Sequence, residues 1–116
     1  MHELPVTESI LNIVLKYANQ NDVSKITAIH LEVGEMSDLE DEWMQRYFEY
    51  LSKETIASEA QLKIIRKPVV MQCEDCDASF EVDIKKDAEI VCPECSGKNN
   101  RLISGREYLV KSIEVI

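Results

Sequence analysis

Apolar residues near the start of the chain recur with the period of a helix. Between Pro5 and about Asn21 they fall at Val6, Ile10, Ile13, Val14 and Tyr17, which predicts one buried face on a helix of roughly four to five turns. Pro5 has no backbone N–H to donate and is tolerated only where the helix has no carbonyl partner for it. Its position therefore predicts a helix start immediately after Met1-His2-Glu3, leaving those three residues as a short tail. Further on, Ile29, Leu31 and Val33 alternate with His30 and Glu32, the period of a half-buried strand, and Gly34 breaks the alternation. Ser37-Asp38-Leu39-Glu40 has the capping-box pattern and predicts that a second helix begins there. Its apolar positions, Leu39, Trp43, Tyr47, Phe48 and Leu51, carry it to about Glu54 and assign the aromatics to the core.

Leu62 and Ile64 flank Lys63, and the last eleven residues, Arg106 to Ile116, are again rich in β-branched and aromatic residues, so both stretches read as strands. The order is helix, strand, helix, strand, cysteine segment, strand. It predicts an α+β fold with two helices packed on a three-stranded sheet, and a small four-cysteine zinc-binding domain inserted before the last strand. The expected division is 1–69 plus 102–116 for the main domain and 70–101 for the insertion. No internal repeat or low-complexity tract is visible.

With 116 residues the chain has room for one ordinary core and a small appendage, and 45% hydrophobic with 30% charged residues is the mixture of a folded soluble protein. No stretch approaches the roughly 18 to 20 apolar residues of a membrane span, and the opening MHELPVTESI is acidic where a secretory signal is basic; a cytoplasmic location is the expectation. The net charge of −9 is uneven, since residues 1–60 hold 12 acids and 4 bases. Such a surface repels nucleic-acid phosphates and favours cations or basic protein patches.

Cys73 and Cys76 are separated by two residues, as are Cys92 and Cys95, and 15 residues lie between the pairs. Each C-x-x-C turn presents two thiolates to one ion, and two turns complete the tetrahedral shell of a structural Zn²⁺. Two disulfides or a rubredoxin-like iron site are the alternatives; a reducing compartment and the paired spacing favour zinc. The enclosed loop, Asp77 to Val91, has only Phe80 and a few aliphatic residues for a core, so metal binding must supply most of its folding energy. A zinc ribbon that binds nucleic acid or protein is the competing function. Against the nucleic-acid version, the interval between Cys73 and Cys95 holds eight acids, only Lys85 and Lys86 as bases, and one aromatic residue.

The chain has two histidines. His30 reads as an exposed strand histidine beside Glu32. His2 is placed differently, because its imidazole, the amine of Met1 and its own deprotonated amide can close small fused chelate rings on one ion, a nitrogen set suited to Ni²⁺ or Cu²⁺. Methionine before so large a residue is normally retained, which keeps that amine in place. No nucleophile with a nearby base is evident, and a four-cysteine zinc has no vacant position, so an enzyme is not expected. One tail site also gives too little capacity for a storage protein.

Taken together, Met1-His2-Glu3-Leu4, Gly34-Glu35-Met36-Ser37, Cys73-x-x-Cys76 with Cys92-Pro93-x-Cys95, Ser104-Gly105-Arg106-Glu107 and Lys111-Ser112-Ile113-Glu114-Val115 resemble the HypA/HybF family of nickel metallochaperones over essentially the full length. The resemblance implies exchangeable Ni²⁺ at Met1, His2 and Glu3, and structural Zn²⁺ on Cys73, Cys76, Cys92 and Cys95. It implies delivery to the large subunit of [NiFe] hydrogenase with a HypB-type GTPase, and in some organisms service to urease maturation proteins. Neither nucleic acid nor membrane is an expected partner, and monomer and homodimer both remain open. Two positions depart from the family pattern: Pro5 stands where a small polar residue is usual, and Asp77 where glycine is frequent.

Overall fold

The computed structural model describes residues 3–87 and 89–116. Its elements in chain order are α1 (Glu3–Gln20), β1 (Ile26–Gly34), α2 (Asp41–Leu51), β2 (Gln61–Lys67), β3 (Val69–Cys73), β4 (Ser79–Val82), β5 (Asn100–Ser104) and β6 (Tyr108–Val115). They form two three-stranded sheets, ordered β2-β1-β6 and β4-β3-β5. The α+β expectation, two helices with a three-stranded sheet and the cysteines in an insertion before the last strand, describes this order. The insertion also contains a sheet of its own. The chain divides into two compact units. One comprises residues 1–32, 38–65 and 109–116; the other comprises Val33–Ser37 and Arg66–Tyr108, and so extends beyond residues 70–101.

In the first unit, α1 includes Glu3, one residue before the start expected immediately after Met1-His2-Glu3. Pro5 still falls among the first four residues, whose N–H groups have no carbonyl partner, so its missing donor costs no hydrogen bond. The helix buries Glu3, Thr7, Ile10, Leu11, Val14 and Ala18. Ile13 and Tyr17, expected inside, are 50% and 52% exposed. Thr7 and Ala18 fit the inner face because they are small, and Thr7 satisfies its hydroxyl by donating to the Glu3 carbonyl. The helix ends where Asp22 takes a left-handed φ of 52°, turning the chain so that the Val23 N–H reaches the Ala18 carbonyl. Ile10, Val14, Ile26, Ile29, Leu31, Met44 and Phe48 are almost wholly buried. Each such side chain contributes about 1.5–3 kcal/mol of hydrophobic stabilisation.

α2 begins at Asp41 rather than at Ser37, with Glu40 as its N-cap and no side-chain cap from that residue. The capping-box pattern therefore does not mark the helix start. Asp38 takes φ 60°, and the chain turns once more before the helix opens. The inner face also differs from expectation. Met44 and Phe48 are the buried residues of α2, whereas Trp43 is 39% and Tyr50 68% exposed. On the sheet, the Glu114 carboxylate accepts from Lys63 Nζ at 3.2 Å and pairs with His30 Nε2 at 2.9 Å. The His30 and Lys63 contacts hold the Glu114 carboxyl below the usual carboxylate range. His30 thus pairs across the sheet with Glu114, where the sequence suggested an exposed neighbour of Glu32.

The second unit depends on two glycines whose backbones touch. A Cβ at Gly34 would lie 2.1 Å from the Gly105 carbonyl oxygen, and one at Gly105 would lie 2.9 Å from Val69 Cα. Gly105 also takes φ 128°, a conformation that side chains resist. The close approach is stitched by Met36 N–H donating to Gly105 O at 2.7 Å and Gly34 N–H donating to Glu107 O at 2.9 Å. The Glu107 carboxylate accepts the Gly105 and Arg106 amides. These bonds, with its own amide first among them, hold its carboxyl low. Because the clash at Gly34 is with backbone that cannot rotate away, Gly34→Ala should cost at least about 2 kcal/mol. Thermal unfolding should show this as a fall of roughly 8 °C or more. A variant melting within a degree of the parent would show that the two segments separate freely.

Candidate metal centre

β3 pairs antiparallel with both β4 and β5, with a register shift between Val70 and Met71 on the β5 side. Val69, Met71 and Val82 form its buried cluster, with Met36, Phe80, Ile90 and Leu102 packed against them. This core is small, and Cys73 lies at its edge as the last residue of β3.

The two cysteine turns repeat one geometry. In the first, Asp77 N–H donates to Cys73 O at 2.9 Å and Cys73 N–H to Ala78 O at 2.9 Å. In the second, Ser96 N–H donates to Cys92 O at 2.8 Å and Cys92 N–H to Gly97 O at 2.9 Å. Asp77 and Ser96, the residues that follow each second cysteine, take φ 62° and 61°. The chain thereby curls around each sulfur pair and turns backbone amides toward the thiols. Ala78 donates to Cys76, Glu94 and Cys95 to Cys92, and Gly97 to Cys95. Gly97 packs closely in the second turn, where a Cβ would sit 2.9 Å from Asp75 Oδ2 and 3.1 Å from Cys95 Sγ.

All four sulfurs fall within 4.8 Å of one another. Cys73 Sγ and Cys95 Sγ are 3.5 Å apart, as are Cys76 Sγ and Cys92 Sγ, with Cys73 and Cys92 buried and Cys76 and Cys95 exposed. A disulfide requires about 2.05 Å, so these are four free thiols. A tetrahedron with metal–sulfur bonds of about 2.3 Å has edges of roughly 3.8 Å, and the cluster fits that shell. The ionisation of the thiols points the same way. Desolvation opposes the Cys92 thiolate, yet the Cys95 and Glu94 amides draw its pKa down to about 7. The Ala78 amide favours the Cys76 thiolate, but the neighbouring Cys92 sulfur and desolvation push that thiol up to about 12. Four sulfurs this close cannot all be anionic unless a cation lies among them. A bound metal would deprotonate them outright.

The described residues include one member of the expected nickel set. Glu3 is 3% exposed, and its Oε2 accepts the Glu40 N–H at 3.0 Å. Met1 and His2 lie outside the described residues. Glu40 is the N-cap of α2, so the Glu3 carboxylate satisfies a donor that the helix leaves free, at the positive end of its dipole. Sequence reasoning had offered Glu40 itself for a reciprocal cap, and nothing local in the sequence links position 3 to position 40.

Asp77 accepts the left-handed turn that glycine would take without strain. Asp77→Gly should keep the four-cysteine site, within about 1 kcal/mol of the parent's stability. Asp77→Val should speed metal loss to a competing chelator, because a β-branched residue resists that φ. Equal loss rates for the two variants would mean the turn geometry does not govern the site.

The family model described as "Hydrogenase/urease nickel incorporation, metallochaperone, hypA" matches residues 1–115. The hydrogenase maturation factor HybF of Escherichia coli O157:H7 is 38% identical over 115 residues, covering 99% of each chain. The hydrogenase maturation factor HypA of Dehalococcoides mccartyi (strain CBDB1) is 35% identical over 115 residues, covering 99% of this chain and 94% of its own. Among solved structures, the solution structure of the Ni metallochaperone HypA from Helicobacter pylori superposes with a TM-score of 0.71 at 27% identity, covering 100% of this chain and 98% of that one. No helix among the described residues is long and apolar enough to cross a membrane. With its two cysteine turns, its order of elements and a match along nearly its whole length, the chain belongs to the HypA/HybF family of hydrogenase maturation nickel metallochaperones.

Proposed function

We propose that this chain binds Ni(II) at its N-terminus through the Met1 amine, the His2 imidazole and the backbone amides of His2 and Glu3. It delivers that nickel to the large subunit of [NiFe] hydrogenase in the cytoplasm, with a HypB-type GTPase as partner, and acts as a carrier without catalysis. Cys73, Cys76, Cys92 and Cys95 hold structural Zn²⁺. The observation that carries this reading is the placement of Glu3. Its carboxylate is buried and bonded to the Glu40 N–H, which leaves the Glu3 backbone amide as its donor for the metal and fixes the root of the tail one residue from His2. Urease is a second acceptor, on the strength of the family model's description.

The two sites differ in how firmly they hold their ions. Four thiolates close a shell with no vacant position. Free imidazole and α-amino groups ordinarily titrate at about 6.5 and at roughly 7.7 to 8.0, and both bind metal only when deprotonated. Nickel affinity at the tail therefore weakens as the pH falls below these values, which suits a delivery site.

Calorimetric nickel titration of untagged, zinc-loaded protein should find one tail site, lost in His2→Ala while zinc content and helical circular dichroism stay unchanged. Equal nickel affinity in that variant would remove the tail from the mechanism. Chelating the zinc should unfold the cysteine segment, whose metal supplies on the order of 10–16 kcal/mol, and leave α1 and α2 intact. A single cooperative loss of all structure would contradict the division of the chain into two units.

A further inference from the structure

α2 has two faces. Met44 and Phe48 point inward at 0% exposure, while the exposed Trp43 and Tyr50 and the half-buried Tyr47 between them form a second row at the i, i+4, i+7 spacing of a helix that seats in a groove. Trp43 and Tyr50 are 39% and 68% exposed. The outer aromatics are ordered among themselves. The Trp43 and Tyr47 rings stack with centroids 5.8 Å apart, the Arg46 guanidinium lies 5.3 Å from the Trp43 ring, and Lys53 Nζ lies 5.6 Å from the Tyr50 ring. Tryptophan, tyrosine and arginine are the residues that dominate binding energy at interfaces, and a pre-stacked set loses little rotamer freedom on docking.

We propose that this stripe is the docking face for the protein that exchanges nickel with the tail, and that this partner offers an apolar groove rimmed by lysine and arginine. The inference rests on the nickel-delivery reading. Three observations select this occupant. Glu40, whose N–H binds the Glu3 carboxylate, precedes Trp43 by three residues, so the stripe begins within one helical turn of the residue that holds the root of the tail. Acidic residues accompany the stripe on the helix, with Asp41 and Glu42 in the first turn and Glu49 further along, and residues 1–60 carry 12 acids against 4 bases. That charge repels a second copy of this chain and an anionic membrane surface, and attracts a basic rim. Finally, the exposed parts of Trp43, Tyr47 and Tyr50 lie side by side and can form the apolar centre of an interface of about 800 Å² per partner.

Trp43 is the chain's single tryptophan, so its emission reports directly on the stripe. The test titrates nickel- and zinc-loaded full-length protein with the purified GTPase and, separately, with purified hydrogenase large subunit. Emission and calorimetry are read, and self-association is followed by sedimentation. The expected result is a blue shift of Trp43 emission with at least one of the two proteins. Affinity should fall at least ~30-fold in the Trp43→Ala/Tyr50→Ala double variant. Glu49→Lys, which reverses one exposed charge and leaves the Glu42–Arg46 pair beside Trp43 intact, should weaken the same complex and flatten its dependence on salt. Both variants should keep full nickel and zinc stoichiometry. Unchanged affinity of the aromatic double variant for both proteins overturns the proposal, as does self-association that depends on Trp43. A chain that binds no nickel would sink the delivery reading, with the Trp43 comparison still deciding the docking face.

Discussion

A carboxylate is costly to bury unless hydrogen bonds or a field favour its charge. Glu3 is 3% exposed in the first turn of α1, and it meets this demand with the Glu40 N–H at the amino end of α2. Two needs meet there. α2 has no side-chain cap from its own N-cap residue, and the buried Glu3 carboxylate takes its donor from the Glu40 N–H. The bond therefore fixes the phase of α1, brings the small residues Thr7 and Ala18 to the inner face, and starts α2 at Asp41. It also ties the residue next to His2 to the framework of the first unit. A tail that must present a metal to another protein benefits from a rigid root, because the ligands beyond it then search a small volume.

The periodicity of α1 and α2 was readable because helix existence depends on many residues at once. Their rotational phase was not, because it turned on single residues. Ile13 and Tyr17 follow the apolar pattern as well as Ile10 and Val14, and an apolar count cannot know that a glutamate occupies the buried row. The same reason moved Trp43 outward: Met44 and Phe48 fill the inner face of α2, and the bulkier aromatics of the Trp43, Tyr47, Tyr50 row remain outside. Ser37 to Glu40 imitates a capping box, but the cap donor is claimed by a residue 37 positions away. Long-range polar contacts of this kind leave no local pattern to read.

The cysteine segment behaved in the opposite way. Its ligands were legible from spacing alone, since a C-x-x-C turn is local and the demand for four sulfurs is fixed by the ion. What spacing did not reveal was the sheet β4-β3-β5 around it, whose strands are short and whose buried cluster is only Val69, Met71 and Val82. Short strands with two or three inward residues do not stand out against a loop. The departure at Asp77 is also resolved locally. Asp77 and Ser96 take almost the same left-handed φ, so the two turns keep one shape with two different residues at the glycine-like position.

The two metal sites rest on different sources of order. In the second unit the proposed ion would be part of the fold, because four cysteine sulfurs within 4.8 Å of one another converge on one point. Against desolvation, the Cys95 and Glu94 amides draw the Cys92 thiol down to about 7, and against the Ala78 amide the neighbouring Cys92 sulfur and desolvation push the Cys76 thiol up to about 12. Without an ion, the clustered sulfurs and the two left-handed turns would rest on the short β4-β3-β5 sheet and a small apolar cluster. The proposed nickel site inverts this relation. Its root is held by Glu3 whether or not metal is present, so loading and unloading need not disturb the helices. In that proposal, exchange at the tail is governed by proton competition and by the partner proposed to dock on α2, while a four-cysteine site has no vacant position. A carrier requires that separation, because an ion that held its own domain together could not be surrendered without unfolding it.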